Sequence, residues 1–416
     1  IKAAVAGAVL ASASVANAGI TWDAGEWTVD MNGNVNAFAV WNDNTDSGTA
    51  IGGGMANTSA GDTESESFAI QTGLLPSWLG FTATTRQNDL DTSVTISLQP
   101  GTGGNAALGG GNSGGKGTEN RQAFLTFGDK SWGSVKVGKD LGIFGSTAIL
   151  NDMTLLGVGG TGAATYANGV NSAAGSTTTT LGGIGTGYLY ADWKGQIAYT
   201  TPNMNGFSAT LGITQPWNAT GSASDGGGNT LSTSSSGGTD QPAYEVQAAY
   251  SWTGDFAGKV WVGGFFQDVT GLGTGNTSED AKSFEVGVST SIYNINLVAY
   301  GYSGEGVGTT GMLSDGFDDT GKARDSDGGY LQATYVIPMG TKLGVAYGVS
   351  NLDDNAADAG DNLVKTNERV TVGAYHPLTK HLNLVAEYSK IESESHDSTV
   401  GDLETDVFSV GAILFF

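Results

Sequence analysis

The feature that most constrains the fold is a two-residue alternation of polarity. Large apolar or aromatic residues alternate with small or polar ones in about sixteen segments, each close to the ~10 residues of a tilted membrane strand. In the first segment Val29, Met31 and Val35 share one parity, and Asn32 and Asn34 share the other. Successive side chains of a strand point to opposite faces, so each segment presents an apolar and a polar face. The same division recurs in the segments around Tyr244, Phe284, Leu331 and Leu382.

The connections between these segments alternate between short and long. Seven short ones centre on 76–78, 128–133, 202–206, 254–258, 291–293, 338–341 and 376–381. Eight long ones cover about 43–62, 99–118, 141–186, 216–241, 269–280, 304–327, 352–365 and 392–404. Polarity alternation alone also fits a soluble sandwich, but strict alternation of connection length is what a membrane barrel requires. The sequence therefore predicts an all-β fold, a transmembrane antiparallel 16-stranded β-barrel with short periplasmic turns and long external loops.

The first eighteen residues have the order of an export signal. Lys2 precedes a small-residue apolar stretch, and the triplet at 16–18 is of the kind that signal peptidase cleaves. We therefore expect residues 1–18 to be a signal peptide lacking its first residues, and residues 19–416 to form a single barrel domain.

The last segment carries an apolar stripe up to the final residue. Phe408, Val410, Ala412, Leu414 and Phe416 share one parity. An aromatic residue at the end of such a stripe fits the interfacial girdle of a barrel, in which the last strand pairs with the first and removes the exposed edge.

Composition excludes several classes of protein. The chain has no cysteine, which rules out a disulfide-stapled domain, a cysteine-ligated zinc site and thiol catalysis. Acidic residues number 41 against 17 basic ones, and this net charge of −24 argues against nucleic acid as a partner. The mature chain has no uncharged apolar run of the ~18 residues that a spanning helix needs, so a membrane location requires a closed barrel.

Two hairpins carry a family resemblance. The stretch 121–128 followed by 132–139 resembles an R-x-A-F-V-G-L, turn, F-G-x-V-x-x-G-R hairpin, with Lys139 in place of the usual arginine. The stretch 196–207 is similar to S-x-x-Y-x-S-P-x-F-x-G-F, with Met204 in place of the aromatic residue. Both hairpins resemble those of the general trimeric sixteen-stranded porins of Gram-negative bacteria, particularly the β-proteobacterial type.

This resemblance implies an integral protein of the bacterial outer membrane that forms a homotrimer. It also implies a second loop, about 99–118, that latches onto a neighbouring subunit, and a third loop, 141–186, that folds into the barrel. In the first half of the third loop, apolar residues around 151–156 would pack on the inner wall and leave Asp152 towards the channel. The Gly-, Ala- and Thr-rich half from 157 to 186 also fits a mobile external loop.

Charged residues on the polar parity are candidates for the pore lining. By strand parity, seven of them point inward: Arg86, Lys136, Lys194, Glu245, Glu285, Arg369 and Glu387. Across the narrowest section we expect an opposed set, with Arg86, Lys136 and Lys139 on the wall and Asp140 and Asp152 on the loop. Such a set would create a transverse field that favours small polar solutes. The excess of carboxylates leads to the hypothesis of a weak cation preference.

Sites for metals or catalysis are not expected. Acidic stretches at 315–327 and 353–361 do not match the Ca²⁺-loop spacing, and they fit solvated external loops bridged to lipopolysaccharide by divalent cations. The three histidines, at 376, 381 and 396, fall at opposite ends of the predicted barrel, which argues against an assembled catalytic group. We expect no cofactor.

The predicted function is general passive diffusion of small hydrophilic solutes and ions across the outer membrane, where the partners are lipid and lipopolysaccharide. A substrate-selective channel on the same fold is the first alternative. An exported β-rich adhesin or surface-layer protein is a more distant one.

Overall fold

A computed structural model describes residues 19–45, 48–56, 65–101, 118–161, 179–220, 232–235, 239–273, 275 and 277–416 of the chain. The predicted signal peptide, 1–18, and nearly all of the predicted second loop, 99–118, lie outside these described residues.

Nineteen strands and three short helices make up the described chain. The strands are β1 Ile20–Ala24, β2 Trp27–Asn44, β3 Glu66–Gln71, β4 Trp78–Gln87, β5 Leu90–Pro100, β6 Thr118–Glu119, β7 Ala123–Asp129, β8 Gly133–Leu141, β9 Trp193–Thr200, β10 Phe207–Thr214, β11 Ala243–Trp252, β12 Phe256–Leu272, β13 Thr277–Ile292, β14 Ile295–Glu305, β15 Asp325–Val336, β16 Lys342–Leu352, β17 Val364–Pro377, β18 Leu382–Ser395 and β19 Leu403–Phe415. The helices are the α-helix α1, Ser146–Asn151, and the 3₁₀ helices Met153–Leu156 and Ala356–Asp358. None of the helices in the described ranges is long and apolar enough to cross a membrane.

These strands form a closed antiparallel barrel of sixteen wall positions, as predicted. Three wall positions each consist of two strands placed end to end: β3 with β4, β6 with β7, and β19 with β1. Every other neighbour along the wall is the next strand in sequence, joined as an antiparallel pair. The short and long connections therefore fall at opposite ends of the barrel.

The barrel closes along β2. The first half of this strand pairs with β1, where Ile20 lies opposite Met31, and the second half pairs with β19, where Phe415 lies opposite Asn34. At the junction, Gly33 and Phe416 exchange backbone hydrogen bonds of 2.9 and 3.0 Å. No strand edge is left open at this seam, which is the condition for a sheet to span lipid.

The short periplasmic turn predicted at 76–78 is not observed there. Residues 72–77 instead interrupt one wall position between β3 and β4 and bend into the lumen, where the Asn36 side chain binds Gly73 N–H and Leu75 C=O at 2.9 Å each. The turn lies between β4 and β5, at Asn88 and Asp89, whose φ angles are 49° and 61°. Asn and Asp tolerate this left-handed conformation, which two-residue hairpin turns require.

The two faces of the wall differ as the parity analysis predicted. Outward side chains such as Val35, Phe284 and Leu331 are 60%, 56% and 63% exposed, whereas inward Asn34 and Asn36 are buried. Burying such an apolar outer face requires hydrocarbon rather than water. Exposed outer aromatic residues lie near both barrel ends: Trp41, Phe68 and Phe408 towards the external loops, and Phe207, Tyr250 and Phe256 towards the periplasmic turns.

Candidate functional site

The third loop connects β8 and β9, and the residues of it that the structure describes lie inside the barrel. Its described parts, 142–161 and 179–192, are largely buried and include α1 and the 3₁₀ helix Met153–Leu156. The loop follows the inner wall from β11 to β18 and reaches β2, where the Thr161 hydroxyl donates to Asn42 Oδ1 at 2.8 Å. Its second half returns across β16. The predicted insertion of the first half is observed, and the described residues of the second half are inserted as well.

Two wall glutamates hold the start of the loop. Glu245 on β11 accepts hydrogen bonds from the backbone N–H groups of Ile143 and Phe144 at 2.7 and 2.9 Å. Glu285 on β13 accepts from Gly145 N–H at 3.2 Å and from the Tyr300 hydroxyl at 2.9 Å. Hydrogen bonds to a charged acceptor are about twice as strong as neutral ones, so these carboxylates fix the loop to the wall.

The helical middle of the loop is held by neutral groups of β15. The Tyr330 hydroxyl donates to Ala148 C=O at 2.8 Å. The Gln332 side chain accepts from Met153 N–H at 2.7 Å and donates to Asn151 C=O at 2.9 Å. One amide therefore satisfies backbone groups on both sides of the break between α1 and the 3₁₀ helix.

A third glutamate holds the segment after the helices. Glu387 on β18 accepts from the backbone N–H groups of Val158 and Gly159 at 2.7 and 2.9 Å. The Tyr375 hydroxyl donates to the same carboxylate at 2.6 Å. The three glutamates are only 3%, 0% and 3% exposed, so they point inward as predicted but are covered by the loop.

The returning half of the loop packs on the outgoing half. The Tyr188 hydroxyl and Gly183 N–H donate to Asp152 Oδ2 at 2.8 and 3.0 Å, and the Arg369 guanidinium on β17 lies 3.7 Å from the same oxygen. Asp152 is therefore 4% exposed and is directed into the loop. The orientation predicted from the sequence, towards the channel, is not observed.

Two further predicted lysines, Lys194 and Lys136, each form an ion pair near the base of the loop. Lys194 on β9 forms an ion pair with Glu245, and its ammonium lies 3.4 Å from the centre of the Trp217 ring. Lys136 forms an ion pair with Asp140, and both residues belong to β8. Asp140 is thus on the wall rather than on the loop, and the expected opposition of basic wall and acidic loop is replaced by pairs within the wall.

Lys139 lies on the other face of β8 from Lys136. It is paired in register with Ala123, and Ala123 shares its face with Leu125, which is 42% exposed on the outer surface. The strand runs without a register shift between these positions, so three residues separate opposite faces. The structure does not bring Lys139 to the lumen.

Arg86 has the inward parity but lies at the periplasmic rim. It forms salt bridges with Asp91 at 2.7 Å and with Asp129 at 3.0 Å, both next to turns. Arg86 is therefore far along the wall from the third loop and is not part of the opposed set that the sequence analysis expected.

Two inward lysines, Lys259 on β12 and Lys342 on β16, were not predicted from the sequence. The Lys259 ammonium lies 3.5 Å from the Thr147 hydroxyl of the loop, and the Lys342 ammonium lies 4.4 Å from the centre of the Tyr375 ring. Their parity relative to the outward Val260 and Leu343 would have identified them.

External loops pack into a cap at the outer mouth. Arg324, which is fully buried, donates to both oxygens of Asp358 at 2.9 and 2.6 Å and to the Ser232 hydroxyl at 2.8 Å. Burial alone would raise the pKa of Asp318, but hydrogen bonds from the Thr320 hydroxyl and Lys322 N–H outweigh it and lower that pKa. Acidic residues of the stretches weighed as Ca²⁺ sites are thus engaged in loop packing, and no group of three or more candidate metal ligands occurs in the described residues.

A closed sixteen-stranded barrel with an apolar outer face and a loop anchored inside it is the architecture of an outer-membrane diffusion channel. The model of the Gram-negative porin family matches residues 3–396 of the chain, and the chain belongs to that family. It is an integral protein of the outer membrane. No curated protein sequence matches it.

Solved porins share the fold at low sequence identity. The outer membrane channel DcaP of Acinetobacter baumannii is 13% identical, with a TM-score of 0.65 over 96% of this chain and 100% of that one. The anion-selective porin from Comamonas acidovorans is 16% identical, with a TM-score of 0.60 over 94% and 100%. OmpT of Vibrio cholerae in its trimer form is 13% identical, with a TM-score of 0.53 over 94% and 100%.

Proposed function

We propose that small hydrophilic solutes and ions diffuse passively between the third loop and the wall formed by β4, β5, β7 and β8. The observation that carries this proposal is the path of the loop, whose anchors lie on β11, β13, β15, β16, β18 and β2. The wall across from it carries half-exposed hydroxyls at Thr82, Ser93 and Thr126. A polar surface of this kind suits water and hydrated solutes.

Conductance of the purified protein in a planar lipid bilayer tests this proposal. We expect discrete current steps in KCl, and a smaller conductance when a bulky side chain is placed on the open wall, as in Thr126→Trp. The control is Thr290→Trp on the outer face near a periplasmic turn, which should leave the conductance unchanged. Absence of current steps from correctly folded protein would contradict the proposal.

A substrate-selective channel remains the second candidate, and liposome swelling separates the two. Sugars of increasing size should enter at rates that fall smoothly with size if diffusion is general. A sharp preference unrelated to size would favour a selective channel. The half-exposed hydroxyls on the wall of β4, β5, β7 and β8 support general diffusion, because they offer a solute many similar contacts.

We infer that the channel assembles as a homotrimer. The apolar outer face of β2, β3, β4 and β5 supports this, with Trp41, Phe68 and Phe81 at 43%, 55% and 40% exposure. OmpT of Vibrio cholerae, a fold relative, has been solved in a trimer form. Native mass spectrometry in detergent should give three times the subunit mass. The Phe68→Arg variant should give the mass of a single subunit.

The other proposals concern the ends, the partners and the chemistry. We propose that residues 1–18 are removed on export, and that lipid and lipopolysaccharide surround the barrel. We also propose that the protein is not an enzyme: His376 and His381 flank the turn after β17, and His396 follows β18 at the external end. Side chains at opposite barrel ends cannot act on one substrate.

A further inference from the structure

The side of the third loop that faces the lumen is largely apolar. Within residues 142–157, five side chains are half-exposed and the others are buried. The five are Ser146, Leu150, Asn151, Leu155 and Leu156. The three leucines pack against the apolar residues that are buried inside the barrel, so their exposed parts face the lumen. Asp152, the one charged residue of this stretch, is 4% exposed.

The wall interruption at 72–77 continues this apolar boundary. The Leu74 N–H donates to the Gly157 carbonyl oxygen at 2.8 Å, which joins the interruption to the third loop. Leu75 is the one half-exposed residue of the interruption, and it packs against the same buried apolar residues. The interruption therefore brings a further leucine to the lumen, close to the end of the 3₁₀ helix Met153–Leu156.

Two tryptophans complete the boundary on the other side. Trp78 pairs with the inward Asn34, and its indole lies over Gly80, where an added Cβ would be 2.4 Å from the indole Nε1. The centre of the Trp193 ring lies 6.3 Å from that of the Trp78 ring, and both residues are half-exposed. Trp193 also pairs with Leu141, directly before the third loop, so the boundary is continuous.

Charged groups beside the two tryptophans are engaged with other groups. Arg121, whose guanidinium lies 5.8 Å from the centre of the Trp193 ring, donates to Glu119 Oε2 at 2.8 Å. Asp192 accepts from Trp193 N–H at 2.6 Å and from the Trp217 indole N–H at 2.9 Å. The half-exposed apolar members of the boundary are here called the apolar ring. They are Leu75, Trp78, Leu150, Leu155, Leu156 and Trp193.

We propose that the apolar ring is a binding site on the diffusion route for small hydrophilic solutes that carry a planar aromatic ring, such as a nucleobase. This inference rests on the proposed diffusion function. Leucine side chains and indole faces offer water and ions no strong hydrogen bonds, so a fully hydrated solute gains little there. A planar ring stacks on the indole faces, and aromatic contacts of this kind are stabilising beyond the area that they bury.

The apolar ring differs from the opposed charges that the sequence analysis expected across the narrowest section. None of its six members is charged, so it creates no transverse field. Selection at this level of the lumen then depends on the shape and the apolar faces of a solute. Two neutral solutes of similar size should therefore pass differently if only one of them carries a flat ring.

The test is the interruption of single-channel KCl current by uridine, a neutral solute with a planar ring. Glucose and sucrose, one lighter and one heavier than uridine, are the comparison solutes. Uridine should interrupt the wild-type current at concentrations at which the two sugars do not. Interruptions by uridine no more frequent or longer than those by the sugars would overturn the proposal.

Variants of the two tryptophans assign the effect to the ring. Trp78→Leu with Trp193→Leu keeps both side chains apolar but removes the flat faces, and should shorten the interruptions by uridine about two- to tenfold. Trp78→Phe with Trp193→Phe should retain most of their length. The matched control is Trp22→Leu with Trp132→Leu, two exposed tryptophans near the periplasmic end, which should behave like wild type.

The possible failures are distinguishable. Wild type that gives no current steps contradicts the diffusion function itself. Wild type that conducts, with interruptions of the same length in the double leucine variant, overturns only the apolar ring as a binding site. The single variants Trp78→Leu and Trp193→Leu serve if the double variant lacks the heat-dependent gel shift of folded barrels.

Discussion

A carboxylate inside a barrel can face water or hold another part of the chain, and Glu245, Glu285 and Glu387 do the second. Each accepts backbone N–H groups that the third loop would otherwise bury without partners. An unpaired buried N–H costs about as much as a lost hydrogen bond, so the loop and these side chains depend on each other. These three glutamates therefore hold the third loop in place against the wall.

Replacing Glu387 should therefore loosen the loop. Glu387→Ala leaves Val158 N–H, Gly159 N–H and the Tyr375 hydroxyl without their acceptor, and we expect a loss of about 1.5–3 kcal/mol in the free energy of unfolding. Urea titration followed by the heat-dependent gel shift of folded barrels measures it. Glu392→Ala, on the same strand with a side chain 46% exposed, is the control, and equal losses in both variants would contradict the role.

The two lysines of β8 should behave differently. Lys136→Gln removes an inward charge and leaves the buried Asp140 without its cation, so we expect a changed permeability ratio. Lys139→Gln alters only the outer face and should leave the ratio as in wild type. Zero-current potentials across a KCl gradient compare them. A larger effect from Lys139 would show that β8 is turned the other way.

The returning half of the third loop lies very close to the backbone of strand β16. At Gly348 on β16, an added Cβ would lie 2.0 Å from the Thr186 carbonyl oxygen, far inside a normal contact. Gly348→Ala should displace the returning half of the third loop, so single-channel currents should become noisier or change in size. Gly301→Ala, where the nearest atom would be 3.5 Å away, is the matched control and should conduct like wild type.

The external cap depends on one buried ion pair. Arg324→Met leaves Asp358 as an uncompensated buried charge, and breaking such a pair typically costs about 3–5 kcal/mol. We expect faster cleavage of the external loops by added protease on intact cells. Arg324→Met combined with Asp358→Leu should restore part of the resistance. Unchanged cleavage in the single variant would mean that the pair does not hold the cap.

Sequence patterns predict most of the wall and little of what fills it. Period-two alternation locates the strands because lipid and lumen impose opposite polarity on neighbouring residues. The break at 72–77 is not predictable in this way, because Pro76 and its neighbours have turn chemistry but bend inward to meet the loop. The prediction for Lys139 was wrong because its position was taken from the hairpin motif and not from strand parity. The inward glutamates were predicted, but the loop backbone groups that they bind were not. Those groups are 101 residues from Glu245 and 229 residues from Glu387 in sequence, so no local pattern reveals them.

The molecule as a whole is stable only if its outer face meets hydrocarbon. Val286, near the middle of β13, is 46% exposed on that face. An arginine at mid-membrane on the lipid side costs about 2–4 kcal/mol, so Val286→Arg should lower the unfolding free energy of the barrel in lipid vesicles by that amount. Ser289→Arg, three residues away on the lumen side, should cost much less. Equal losses would mean that the two faces were assigned wrongly.

The seam along β2 has a kinetic consequence. On one side the second half of β2 pairs with β19, the last strand in sequence, so the barrel cannot close until nearly the whole polypeptide has been synthesised. Bringing together partners so distant in sequence is slow, because the intervening chain must first be ordered. Until the barrel closes, a partly formed sheet has two unpaired strand edges and an exposed apolar face. Exposed strand edges and apolar surface promote aggregation, so the chain is protected from it only once the final strand has paired.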